Sequence, residues 1–134
     1  MKPLVYLATP YSWKPKSKEI GVNKPDTKEK DKQVREERYE KVNKVSAKLL
    51  LSGFWVYSPI SMTHPIAQYI PEEKDCYDLW IPLDLNLLLK CDLVFVLCID
   101  GWKESDGVTK EINFAKEQGI PVVYINEDLQ ILEG

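Results

Sequence analysis

The most constraining feature of the sequence is an uninterrupted run of seven aliphatic, aromatic or cysteine residues, Leu93 to Ile99. A strand that is buried on both faces has this pattern, whereas a strand with one solvated face alternates apolar and polar residues. Strands of this kind belong to parallel sheets that carry helices on both sides. The run therefore predicts a central strand of an α/β domain.

The remaining segments predict the partners of this strand. Apolar, β-branched and aromatic runs predict further strands at 4–8, 54–57 and 121–125. Helical spacing predicts helices over about 34–52, from Pro71 onward with a bend or break at Pro82, and over 108–118, and the segment 60–69 is predicted as a loop. Alternation of strands and helices predicts one domain over residues 1–134. Its fold is flavodoxin-like or Rossmann-like, a parallel sheet of four to five strands with flanking helices.

One segment does not fit this alternation. Residues 13–33 contain two prolines and many lysines without an apolar period, which predicts a long flexible loop. Residues 14–45 hold 11 Lys/Arg against 7 Asp/Glu, while the rest of the chain holds 7 against 14. Both signs are interleaved and aromatic residues are nearly absent from the lysine-rich part, so we predict a solvated surface and no nucleic-acid site.

Cysteine content and hydropathy limit the other classes of function. The three cysteines form no CxxC pair and have no histidine near them, so neither a metal site nor a disulfide framework is expected. No apolar stretch approaches the length that spans a bilayer. We expect a cytoplasmic protein without a membrane segment, a metal or a redox cofactor.

The segment from Ser105 to Glu111 carries the strongest candidate for chemistry. In parallel α/β sheets ligands bind beyond the carboxyl ends of the strands, and this segment leaves the buried strand, turns at Gly107 and enters a helix. Glu111 lies about one turn into that helix and is a candidate nucleophile or general base. The alternative is that Glu111 is an acid favoured by the helix dipole, with Ser105 or Asp106 serving only as a cap.

Two further side chains are candidates. Asp84 lies among leucines, where burying a carboxylate is costly and therefore suggests a function. At the edge of the sheet it is placed to exchange a proton with a leaving group. The alternative for Asp84 is a cap of the half-helix that follows Pro82. His64, the one histidine, falls in the predicted loop 60–69, where it either contacts a ligand or is a hydrogen-bonded bystander.

Taken together, these motifs resemble the nucleoside 2-deoxyribosyltransferase superfamily. The resemblance rests on Tyr6-Leu7-Ala8-Thr9-Pro10-Tyr11, Tyr57-Ser58-Pro59, Asp84 followed by Cys91-Asp92, Gly107-Val108 before Glu111, Ala115, and Gly119-x-Pro121. It covers nearly the whole chain apart from residues 13–33. It implies an enzyme that transfers deoxyribose between bases, or that hydrolyses the N-glycosidic bond of a deoxynucleoside 5′-monophosphate.

The resemblance also implies roles for individual residues. Glu111 is implied as the nucleophile and Asp84 as the residue that assists the leaving base. The substrate contacts implied or expected at the same edge are Tyr6, Thr9, Tyr11, His64, Ser105 and Gly107. Monophosphate hydrolases of the superfamily resemble this chain in having serine six residues before the nucleophile, here Ser105, although Asp106 beside it opposes a phosphate.

The partners expected are a small nucleoside or nucleotide and further copies of the chain. The superfamily implies a homo-oligomer, a dimer or tetramer, and the sequence has more large aromatic residues than a small core needs, among them Phe54, Trp55, Trp80 and Trp102. Two other functions stay open at this point. One is hydrolysis of a ribonucleotide or nicotinamide nucleotide, and the other is a nucleotide sensor without turnover.

Overall fold

The structure is a computed structural model, and it describes residues 2–13 and 25–133. Five strands and four helices alternate along most of the described chain, with a short 3-10 helix at Glu72–Lys74. In chain order these elements are β1 (Leu4–Ala8), α1 (Pro25–Leu51), β2 (Trp55–Tyr57), α2 (Pro59–Ala67), α3 (Tyr77–Leu88), β3 (Leu93–Leu97), α4 (Asp106–Glu117), β4 (Val122–Ile125) and β5 (Ile131–Leu132).

The strands form one sheet in the order β2-β1-β3-β4-β5. The first four strands of this order run parallel, with Tyr6 of β1 level with Tyr57 of β2 and with Val94 of β3. This confirms the predicted Rossmann-like α/β fold. The short β5 pairs antiparallel with β4, because the tail after Asn126 folds straight back on the strand that precedes it.

Alternate residues of β1 face the two helical layers. Val5 and Leu7 pack with α1 and α2, in a core that includes Val42, Val45 and Leu49. Tyr6 and Ala8 face the other side, in a core formed with α3 and α4. The period of two along a strand thus sends Tyr6 into the layer that contains α4.

The prediction for the lysine-rich segment was partly wrong. Helix α1 begins at Pro25 and not near residue 34, so residues 25–33 of the predicted loop 13–33 are helical, whereas 14–24 lie outside the described residues. Pro25 stands at the first helical position, where a missing N–H costs nothing. The added turns are largely polar, and Trp13 donates its backbone N–H to the carboxylate of Asp31, which attaches them to the fold.

Two proline-containing segments also differ from expectation: 60–69 is mostly helical, and the helix expected from Pro71 begins at Tyr77. The predicted loop 60–69 is mostly α2, which starts at Pro59, a residue whose fixed φ suits a first helical turn. Pro82 does not break the helix, because α3 runs continuously from Tyr77 to Leu88. A proline there removes one backbone hydrogen bond, and the fully buried Leu88 and its packing partners offset that loss.

The sheet order places a topological switch point between β1 and β3. The chain leaves β1 toward β2 on one side and leaves β3 toward β4 on the other. The carboxyl ends of β1 and β3 therefore flank a crevice, which is where open α/β sheets bind their ligands.

Candidate active site

Glu111 and Tyr6 form a buried pair beneath the carboxyl edge of the sheet. Glu111 lies on the face of α4 that also carries the buried Val108, Ile112 and Ala115, and it is only 6% exposed. The hydroxyl of the fully buried Tyr6 donates a hydrogen bond to Oε2 of Glu111. A carboxyl group in such a core is rare unless it is paired, and Tyr6 is its partner.

The environment of the pair shifts both acids toward their protonated forms. Burial raises the pKa of Glu111 to about 8, the hydrogen bond from Tyr6 lowers it, and the charge of Asp84 raises it. Burial, together with the charges of Glu111 and Asp84, raises the pKa of Tyr6 well above its usual value. Tyr6 therefore stays a hydrogen-bond donor, while Glu111 is mainly protonated at neutral pH and ionises around pH 8.

Asp84 of α3 is the second carboxyl group of this layer. It is half-buried, and burial raises its pKa to about 6. Its Oδ1 atom is buried and has no hydrogen-bond partner among the described residues. Buried polar atoms normally have a partner, so this oxygen is available to a ligand or to water.

Tyr57 of β2 was missed as a site residue in the sequence, although its motif was noted. Its ring lies 5.8 Å from that of Tyr6, and its hydroxyl is buried without a partner in the described part of the chain. Burial and the charge of Asp84 raise its pKa to about 12. A tyrosine as the last residue of a strand at the ligand edge was the available signal.

Thr9 and Ser105 stand at the ends of the two loops that flank the switch point. Thr9 follows β1 and is 8% exposed, and its Oγ1 lacks a hydrogen-bond partner among the residues described. The Ser105 Oγ accepts a hydrogen bond of 3.2 Å from the backbone N–H of Val108 and so caps α4. Gly107 lies in the first turn, where its backbone leaves room for a side chain.

Tyr11 and His64 form a separate cluster on the opposite face of the sheet. His64 lies on α2, not in a loop, and stacks on Tyr39 of α1 with ring centroids 4.3 Å apart. Its Nδ1 is 2.6 Å from the Tyr11 hydroxyl, and its Nε2 is 2.7 Å from a carboxylate oxygen of Glu36. The structure brings Tyr6, Asp84 and Glu111 together, whereas Tyr11 and His64 support the loop after β1 from the α1 side.

Other parts of the described chain add little to the chemistry of this site. A cavity of about 400 Å³ opens between α3 and α4, lined by Tyr77, Leu85, Asp106, Thr109, Lys110, Asn113, Phe114 and Glu117, and so by neither of the two candidate acids. Within residues 2–13 and 25–133, no group of three His, Cys, Asp or Glu side chains is arranged to hold a metal ion. None of the helices in that part is long and apolar enough to cross a membrane.

Comparison with known proteins identifies a family and a fold. Residues 3–127 match the model of a family described as a domain of unknown function, DUF1937. No curated protein matches the sequence. A solved structure of similar fold is that of a 2-deoxyribosyltransferase from the psychrotolerant bacterium Bacillus psychrosaccharolyticus, at 18% identity and a TM-score of 0.50, over 97% of this chain and 77% of the other.

Proposed function

This chain belongs to the DUF1937 family, and we propose that it is an enzyme of the N-glycosidic bond. Its proposed substrate is a 2′-deoxynucleoside or the 5′-monophosphate of one, from which it releases or transfers the base. The fold it shares with a 2-deoxyribosyltransferase supports this class of substrate. The motifs of Tyr6, Asp84 and Glu111 support it independently of that fold.

One observation carries the proposal. Glu111 is a buried carboxyl group held by the Tyr6 hydroxyl, and Asp84 beside it presents a buried oxygen without a partner among the described residues. Burying two carboxyl groups in one layer costs free energy that a purely structural core would avoid. Two carboxyl groups in different environments suit displacement at an anomeric carbon, where one attacks and the other gives a proton to the leaving group.

In the proposed mechanism Glu111 is the nucleophile. One of its carboxylate oxygens forms a bond to the anomeric carbon as the bond from that carbon to the base nitrogen breaks, and the electron pair leaves with the base. Asp84 gives the departing base a proton. Water, or a second base, then attacks the anomeric carbon of the glycosyl ester, so that Glu111 is freed and the configuration is retained.

This mechanism needs one proton between the two acids. At pH values below the pKa of Asp84, about 6, both carboxyl groups are protonated, and above the pKa of Glu111, about 8, both are ionised. Only between these limits does the pair hold one proton, and the two pKa values place that proton mainly on Glu111. The form that reacts in this mechanism, with Glu111 ionised and Asp84 protonated, is the minor form of the same total charge, so its population follows the same pH limits. Activity is therefore expected to peak between about pH 6 and 8.

The 5′ end of the substrate is assigned to the edge formed by Thr9, Ser105 and Gly107. The unpartnered Oγ1 of Thr9 supports a polar contact there, and the start of α4 favours an anion. The exposed carboxylate of Asp106 acts against a phosphate. The start of α4 and Asp106 act on a phosphate in opposite directions, so the assay compares each nucleoside with its 5′-monophosphate.

The test is release or exchange of base from purified protein. Each deoxynucleoside, its 5′-monophosphate and its ribose counterpart is incubated with and without a second free base, and the products are separated by chromatography. Glu111→Gln is expected to lower turnover by about 10³-fold or more, because the nucleophile is removed. The matched control is Glu117→Gln, which changes an exposed glutamate of the same helix and leaves turnover intact.

The outcomes separate the possible functions. Release from monophosphates alone identifies a hydrolase, and exchange with added base identifies a transferase. Release at the parental rate by Glu111→Gln would show that the nucleophile is assigned wrongly. Nucleotide binding without turnover of any substrate would indicate that the protein is a nucleotide sensor and not an enzyme.

A further inference from the structure

One face of α1 holds the loop that follows β1. Asp31, Arg35 and Arg38 are four and three residues apart, so they lie on the same side of the helix. Together they bind the backbone of residues 11–13 and the hydroxyl of Ser12, at distances of 2.7 to 3.2 Å. The loop is thus fixed through its main chain by side chains of α1.

Arg38 also reaches the second loop of the crevice. While Nη1 donates to the carbonyl oxygens of Tyr11 and Ser12, Nη2 donates to the carbonyl oxygen of Asp100 at 2.9 Å. The side chain is 7% exposed, and burial lowers its pKa. Gly101 has a φ of +91°, and an added Cβ there would collide with the guanidinium group, so the loop is shaped around this arginine.

The two loops that Arg38 joins carry the residues assigned to the 5′ end of the substrate. The first begins at Thr9, and the second leads into Ser105 at the start of α4. By contrast, Tyr6 and Glu111 belong to the core on the other face of the sheet. Arg38 therefore supports the edge assigned to the 5′ end of the substrate, and it does not belong to the core that holds Tyr6 and Glu111.

We propose that Arg38 is a positioning residue for the 5′ end of the substrate, a role that rests on the proposed function above. It sets the separation between the loop of Thr9 and the loop of Ser105 by bonding to main-chain carbonyl groups of both sides. A planar guanidinium group can serve three such carbonyl groups at once, whereas the ammonium group of lysine is a single compact donor. Arg38→Lys thus keeps the positive charge and loses the planar group that donates to all three carbonyl oxygens.

The experiment combines this variant with a shortened substrate. We measure kcat and KM of the wild-type protein, Arg38→Lys and Gly101→Ala with a deoxynucleoside or deoxynucleoside 5′-monophosphate that the wild type cleaves. The second substrate is the corresponding 2′,5′-dideoxynucleoside, which has no 5′ oxygen. With the complete substrate, KM is expected to rise about tenfold in both variants, while kcat and its pH limits stay near those of the wild type. With the dideoxy analogue, the variants and the wild type are expected to have the same KM.

Several results would overturn the proposal. An equal rise of KM for both substrates means that Arg38 does not act through the 5′ end, and an unchanged KM with a lower melting temperature means that its role is only structural. If Arg38→Lys does not fold, Gly101→Ala displaces the guanidinium group without removing it and decides in the same way. Alanine is also strained at this φ, so Gly119→Ala, at a positive φ with no neighbour within 4 Å of the added Cβ, is the control for strain alone. Failure of the wild type to cleave or bind any nucleoside or nucleoside 5′-monophosphate refutes the proposed function as well, and so is distinguishable from these results.

Discussion

Glu111 and Tyr6 form the most tightly specified contact of the candidate site at the scale of single residues. The fold makes Glu111 difficult to ionise, and the Tyr6 hydroxyl acts in the opposite direction by stabilising the carboxylate. The same hydrogen bond fixes the orientation of the carboxyl group. Tyr6 therefore has two separable effects, one on the pKa of Glu111 and one on its position.

Tyr6→Phe tests both effects. We expect kcat to fall by about 10- to 100-fold, because the carboxylate loses its one tyrosine donor. We also expect the alkaline limit of activity to move upward from about pH 8, since the lost hydrogen bond had lowered the pKa of Glu111. Tyr69→Phe, at an exposed tyrosine, is the control. An unchanged alkaline limit in Tyr6→Phe would show that Glu111 does not set it.

The same burial predicts how stability depends on pH. The pKa of Glu111 rises from an ordinary 4.5 to about 8 on folding, so the folded state binds its proton more tightly than the unfolded state. The stabilisation by that proton is complete below pH 4.5 and is lost as the pH rises to about 8. The free energy of unfolding of the wild type should therefore fall over this range, by several kcal/mol in total as an approximate upper limit.

Urea denaturation of the wild type and Glu111→Gln measures this contribution. Because Asp84 interacts with Glu111, the difference between the unfolding free energies of the two proteins reports Glu111 together with its coupling to Asp84. We expect the unfolding free energy of Glu111→Gln to increase steadily relative to that of the wild type as the pH is raised. A constant difference between the two proteins at acid and alkaline pH would contradict the burial cost assigned to Glu111.

Sequence reasoning reached some of these residues and missed others for a physical reason. Asp84 could be identified because a carboxyl group among leucines is conspicuous along the chain, and Glu111 because it follows a buried strand and a glycine turn. Tyr57 had a local signal, since it ends a strand at the ligand edge, but its place beside Tyr6 depends on the pairing of β2 with β1. Arg38 binds loops 26 and 62 residues away, and local spacing does not encode those contacts.

At the scale of elements, strands were easier to predict than helix ends. The apolar run at 4–8 corresponds directly to β1, and the run at 93–99 contains β3, which ends two residues earlier at Leu97. The start of α1 was missed because its first turns are polar, and helical period is invisible where no apolar residue marks it. Pro82 misled the prediction of a helix break, because helix propensity reflects only the local sequence. The packing of α3 against the core depends on residues distant in the sequence.

Helix α4 offers a prediction that separates its cap from its proposed substrate contact. Ser105→Ala removes the oxygen that accepts from Val108, and we expect a loss of about 1 kcal/mol in unfolding free energy. Ser105→Asp preserves the cap, so stability should be kept, while a 5′-monophosphate should bind more weakly through charge repulsion. Thermal denaturation and KM measure the two effects. Equal KM values for a monophosphate in Ser105→Asp and the wild type would remove Ser105 from the substrate site.

At the scale of the whole molecule, α3 is a surface helix with an apolar outer side. Leu79 and Leu83 are one turn apart, and Leu79 is 44% exposed. Of the four aromatic residues expected at an interface, Phe54 packs on Phe95, Trp102 packs on Tyr124, and Trp80 donates its indole N–H to Asp75. Trp55 of the edge strand β2 is 47% exposed and stays a candidate. The outer side of α3 is a second candidate surface for self-association.

Sedimentation measures this self-association. We expect an oligomer at micromolar protein that shifts toward the 15.5 kDa monomer when Leu79 and Leu83 are both changed to glutamate. Leu51→Glu serves as the control, because Leu51 is exposed at the far end of α1. A wild-type protein that sediments only as a monomer, or a variant pair that changes nothing, would exclude association through α3.

The sheet order determines when the strands can pair while the chain is being synthesised. β1 is translated first, yet both of its partners come later, β2 about 50 residues downstream and β3 nearly 90. The nascent β1 can pair with β2 first, whereas its other edge has no partner strand until β3 has emerged and is open to other chains until then. Since the bond between Tyr6 and Glu111 spans most of the sequence, the candidate site can form only after the chain has been synthesised through α4.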